Sequence, residues 1–93
     1  MQILMLGRNA AMLQMGAAPI TAAGHQVSTC LTDEEAMAML TSGTHFGALV
    51  FGMAVEQASR AALRSFIADN ALAIQVLEPK GPMDLPKLLA DLA

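Results

Sequence analysis

Short runs of consecutive apolar residues alternate along this chain with longer stretches whose apolar positions recur at helical spacing. Ile3-Leu4-Met5-Leu6 is closed by Gly7, and Ala48-Leu49-Val50-Phe51 by Gly52. Unbroken apolar runs of this length predict strands buried on both faces. Two further segments read as strands: His25 to Leu31, rich in β-branched residues, and Leu72 to Leu77, broken by Glu78-Pro79. The third strand is expected over Phe46 to Phe51.

Helices are predicted between them. Asn9 can cap one over Ala10 to Ala23, with Gly24 as its stop and Met12, Leu13 and Ile20 on its packing face. Pro19 removes a helical hydrogen bond, so a kink or break is expected over Gly16 to Pro19. Thr32 or Asp33 caps a second helix, in which Ala36, Met37, Met39 and Leu40 face inward and Ser42-Gly43-Thr44 ends the element. Glu56 to Ala68 forms a third, with a stripe of Leu63, Phe66 and Ile67 and a wetter face at Arg60 and Arg64. Gly81-Pro82-Met83 reads as a loop. Asp84 then caps a last helix over Leu85 to Leu92, with Pro86 in its first turn.

The order β-α-β-α-β-α-β-α predicts one α/β domain over residues 1–93, a three-layer α/β/α sandwich around a four-stranded parallel sheet. A doubly wound arrangement gives strand order 2-1-3-4. Its topological switch then falls between the first and third strands, at Gly7 and Gly52. The fourth strand is left as an open edge.

Composition narrows what such a domain does. Hydrophobic residues make up 55% of the chain and charged residues 14%, against roughly 25% charged in average globular proteins. Little charge is left to cover the surface, so an apolar patch and a partner for it are expected, with a second copy the simplest partner. The net charge of −3, and five basic residues that form no run, speak against nucleic acid. No apolar stretch is long enough for a transmembrane helix, and the start lacks a basic leader region, so no membrane partner and a cytoplasmic location are expected. Cys30 is the only cysteine. It reads as a buried strand thiol, and it excludes a disulfide or cysteine cluster within the chain.

Candidate chemistry is sparse. Gly7-Arg8-Asn9 joins the first strand to the first helix, where backbone amides and Arg8 could hold an anion. The stretch lacks the glycines of a dinucleotide fingerprint and the Gly-Lys-Ser/Thr of a P-loop. Gly52, with Met53 beside it, faces this loop across the expected crevice, and Glu78 or Lys80 could touch a ligand there. Asp33, Glu34 and Glu35 are consecutive, point in different directions and read as dipole partners rather than a metal site. His25 and His45 precede strands, at the opposite edge, and read as surface residues. No serine sits in a nucleophile elbow. The residues call for no metal and no cofactor, and they identify no ligand.

The whole chain resembles a shortened receiver domain of the response regulators, or another flavodoxin-like or Rossmann-like module. Similar patterns occur in cobalamin-binding and nucleotide-binding domains. Ile3-Leu4-Met5-Leu6 with the next three residues is similar to the receiver's first strand and acidic cluster. Leu49-Val50-Phe51 with the next residue is similar to the strand that presents its phosphorylated aspartate. Glu78-Pro79 before a helix is similar to its Lys-Pro step. Each functional position departs: Gly7, Arg8 and Asn9 replace the acids, Gly52 the phospho-acceptor and Glu78 the lysine, and one βα unit is missing. The resemblance implies a receiver-like module without phosphorylation. The expected function is non-catalytic protein–protein association as a homodimer. The alternative is a small-ligand, nucleotide or anion site at Gly7, Arg8 and Asn9.

Overall fold

The computed structural model describes residues 1–80 and 84–91. Four strands, β1 (Gln2–Leu6), β2 (Gln26–Cys30), β3 (Ala48–Phe51) and β4 (Gln75–Leu77), form one parallel sheet in the order β2-β1-β3-β4. Four helices, α1 (Ala10–Ala22), α2 (Asp33–Leu40), α3 (Gln57–Asp69) and α4 (Asp84–Ala90), alternate with them. The expected three-layer α/β architecture and strand order are present.

Side-chain alternation along the central strands builds the layers. Ile3 and Met5 of β1, with Ala48 and Val50 of β3, face Leu13 and Ile20 of α1 and Leu85 of α4. Leu4, Leu6, Leu49 and Phe51 face the other way, onto Ala36 and Leu40 of α2 and Leu63 and Ile67 of α3. Every residue of β3 is buried, as its unbroken apolar run requires.

The strands are shorter than the apolar runs that announced them. β3 starts at Ala48 rather than Phe46, and β4 at Gln75 rather than Leu72. The ladder sets these limits: Ala48 registers with Gln75, so residues 72–74 have no strand to pair with. Phe46, Leu72 and Ile74 pack on the core without pairing. β2 likewise spans Gln26–Cys30, one residue inside each expected end.

α1 is not divided. It runs through Pro19 to Ala22, and Gly24 follows at φ +94°. Proline there removes a single bond, to the carbonyl of Met15, which lies on the most exposed part of the helix. Thr32, not Asp33, caps α2: its hydroxyl accepts from the Glu35 amide, as in the first half of a capping box, and donates to the Glu35 carboxylate. Asp84 is the first residue of α4, and its carboxylate accepts the Lys80 amide at 2.9 Å. The Gly81-Pro82-Met83 loop and the expected helix end at Leu92 lie outside the described residues. Among the described residues, no helix is long and apolar enough to cross a membrane.

Candidate functional site

The carboxyl ends of β1 and β3 open into a cavity of about 410 Å³. Gly7, Arg8, Asn9, Gly52 and Met53 all border it, as their positions at the topological switch required. Glu78 does not. Its carboxylate is turned onto Arg60, at 3.1 Å, and onto Arg64. These two guanidiniums hold the Glu78 carboxyl below the ordinary value of 4.5, with Arg64 the larger cause. Arg64 stays half exposed on the wetter face of α3, but both arginines are committed to Glu78. Arg60 also donates to the carbonyls of Val55 and Gly52 and lies over the Phe51 ring, 5.7 Å from its centroid.

Arg8 is committed as well. Its guanidinium donates to the Asp33 carboxylate at 2.9 Å, the Glu56 carboxylate at 3.0 Å, the Ser59 hydroxyl at 2.9 Å and the Leu31 carbonyl at 3.0 Å. Asp33 comes from the start of α2 and Glu56 from the residue before α3, so one side chain ties three βα connections together. Bonding to Arg8 is the main cause that lowers the carboxyl pKa of both Asp33 and Glu56. Glu56 gives α3 no side-chain cap, because its carboxylate is spent on Arg8. Taken together, Arg8, Asp33 and Glu56 carry one net negative charge.

Several further polar groups at the cavity mouth are engaged. Asn9 accepts the Met12 amide at 3.1 Å as the cap of α1. The Gly7 amide donates to the Cys30 carbonyl at 3.1 Å and the Gly52 amide to the Leu6 carbonyl at 2.7 Å. What faces the space is apolar: Met5, Met12, Leu13, Met15 and Met53. Among the described residues, four methionines border this one cavity, and thioether side chains make an adaptable apolar lining. The sequence reading placed Met12 in the core, but it is 60% exposed. The usable signal was Met12 and Met15 three apart, on one side of α1 and next to the switch.

Gly52 has a geometric reason to carry no side chain. A Cβ there would stand 3.2 Å from the Leu6 carbonyl oxygen and 3.3 Å from the Gly7 Cα, both backbone. Gly52→Asp, which puts an acid where a receiver carries its phospho-acceptor, is expected to destabilise the fold by about 1–2 kcal/mol. It is also expected to take up no phosphoryl group from acetyl phosphate, since among the described residues no acid set for a divalent ion is present. Mass spectrometry and urea unfolding check both points. A phosphorylated, undiminished variant would contradict them.

Elsewhere, Cys30 is buried and its Sγ lies 3.7 Å from the Met5 carbonyl. Burial, and after it the Glu35 charge, push the thiol up to about 11, which leaves it unreactive. His45 is exposed, but His25 is half-buried, with Nδ1 buried and unpartnered among the described residues. Among the described residues, no group of His, Cys, Asp and Glu could hold a metal ion. No protein-family model, curated protein or solved structure matches this chain.

Proposed function

We propose that this chain is a non-catalytic association module that pairs with a second copy of itself through the outer face of α1. The observation that carries this reading is an uncharged, solvent-facing helix. No charged residue stands between Arg8 and Asp33, yet of α1 only Leu13 and Ile20 are buried. A helix that turns an uncharged face of Ala and Met outward, with only Gln14 and Thr21 as polar residues, normally lies against another surface.

The outward ridge of α1 has a helix-pairing spacing. Ala11, Met15, Ala18 and Ala22 are all exposed, and they recur at intervals of four, three and four. This is the seam of a two-helix coiled coil, and small residues along it let two axes approach closely. Met15 is 76% exposed. A twofold copy laid on this ridge meets no charge, although the chain as a whole is negative at −3. The receiver-like pattern without its acids accords with the same reading, because such a module would act through contacts alone. A cytoplasmic location goes with it, since a lone buried thiol needs no oxidising compartment.

Two helices about 20 Å long bury less than the ~1,000 Å² of a stable interface unless their rims join in. A reversible equilibrium is therefore expected. Sedimentation over roughly two decades of concentration around 10 μM should show monomer passing into dimer. Ala18→Glu changes an exposed residue, so it should keep the fold and remain monomeric throughout. A wild type that stays monomeric, or an Ala18→Glu protein that dimerises equally well, would remove α1 as the interface.

A further inference from the structure

We infer that the cavity at the ends of β1 and β3 is a binding site for a small uncharged apolar molecule, not for an anion. Size sets the first limit. At about 30 Å³ per water-sized group, a space of about 410 Å³ holds on the order of a dozen non-hydrogen atoms. That is too little for a helical turn of a partner, which with its side chains is about 10–12 Å across.

Charge sets the second limit. Arg8 is the one charged residue among the described lining, and its guanidinium already holds two carboxylates. The cluster beside the cavity is thus net negative and repels an anion. Hydrogen bonding sets the third. The Asn9 side-chain oxygen, the Gly7 and Gly52 amides and the Gly52 carbonyl have partners, and apart from Arg8 and Asn9 the described lining side chains are apolar, so a strongly polar ligand would lose its water and find little in exchange.

Two lining glycines let α1 and β1 pack closely along one side of the cavity. A Cβ on Gly16 would meet the terminal methyl of Met5 at 2.8 Å, and one on Gly7 would meet Leu13 at 2.7 Å. Met12, Met15 and Met53 stand 60%, 76% and 58% exposed around the mouth. They can fold over an apolar guest and exclude water from it.

The test is a titration of methyl-labelled methionines followed by NMR. The probes are 1-octanol and octanoate, which share one tail and differ in charge, and inorganic pyrophosphate. Octanol should move the methyls of Met5, Met12, Met15 and Met53 saturably, with a Kd below about 1 mM. Met37 and Met39, which pack on the other face of the sheet, should stay still. Octanoate should bind at least about tenfold more weakly, and pyrophosphate should move nothing.

Gly16→Leu fills the space from α1. Ala54→Trp covers it from an exposed loop position and spares the core. Each should weaken octanol at least about tenfold. Met15 belongs to both the cavity rim and the α1 ridge, so the titration is read in the monomeric Ala18→Glu protein, where octanol should still bind saturably whether or not the wild type pairs. Tighter binding of either anion, octanol shifts spread over all methionines, no saturable shift, or unchanged affinity in both filled variants would each overturn the inference.

Discussion

Phe51→Ala is expected to lower the unfolding free energy by about 3–5 kcal/mol, the range for deleting a buried aromatic ring. Phe51 is fully buried at the carboxyl end of β3. Its ring supports the Arg60 guanidinium, and the residue borders the cavity. Truncation leaves a void in the core cluster it shares with Leu63 and Ile67 of α3, and Arg60 loses the surface it lies on. Domains of this size hold only about 5–15 kcal/mol in all, so the variant should be partly unfolded well below the wild-type midpoint. At about 4–8 °C per kcal/mol, thermal unfolding should fall by more than roughly 10 °C. Phe51→Leu, which keeps most of the volume, should lose less than half as much. A loss below about 1 kcal/mol for the alanine variant would show that the ring is not the keystone between sheet and α3.

Arg8→Met should be the next most costly change, at about 1.5–3 kcal/mol. That range applies to charge-assisted bonds of the kind it makes to Asp33, Ser59 and the Leu31 carbonyl; the exposed contact to Glu56 adds little. The change also has a pH signature. Asp33 and Glu56 titrate in the folded protein below their ordinary values of 3.8 and 4.5. A depressed carboxyl stabilises the fold above its unfolded value, and the gain is lost as pH falls through the folded value. Wild-type stability contributed by this pair should thus be complete above about pH 4.5 and fall below it. In Arg8→Met that acid limb should flatten, because the two carboxylates no longer have the guanidinium that lowered them. The remaining slope should come from Glu78, whose partners Arg60 and Arg64 are untouched. Urea unfolding of both proteins from pH 3 to 7 checks this, and parallel curves would contradict it.

The sheet was legible because its inner strands are apolar without interruption. Ile3 to Leu6 and Ala48 to Phe51 have no polar position to spare, which only a strand covered on both faces tolerates. Their glycine stops placed the switch point, and with it five of the six candidate site residues. The ends of the outer strands were not legible, because burial and pairing part company there: Leu72 and Ile74 are apolar for packing, not for the ladder. The pairing of the charged groups was not legible for a related reason. Arg8 looked available from the sequence because its partners, Asp33, Glu56 and Ser59, are distant in the chain and meet it only in the fold. Glu78 was drawn off in the same way by two arginines on α3. Pro19 was given too much weight, because near the end of a helix it costs one bond whose carbonyl water can take over.

Self-association through α1 is tested most directly by a distance between two copies. A spin label at Gln14→Cys lies beside the seam, and the buried native thiol, with its high pKa, leaves the new cysteine as the one that reacts. If two α1 helices pack with axes about 8–10 Å apart, double electron–electron resonance should give a defined separation of about 20–30 Å between protomers, from those axes plus two label arms. The signal should vanish in the Ala18→Glu background. A labelled protein that shows only the uniform background of separate molecules, at concentrations where the dimer is expected, would contradict the proposal that this helix is where the molecule meets its partner.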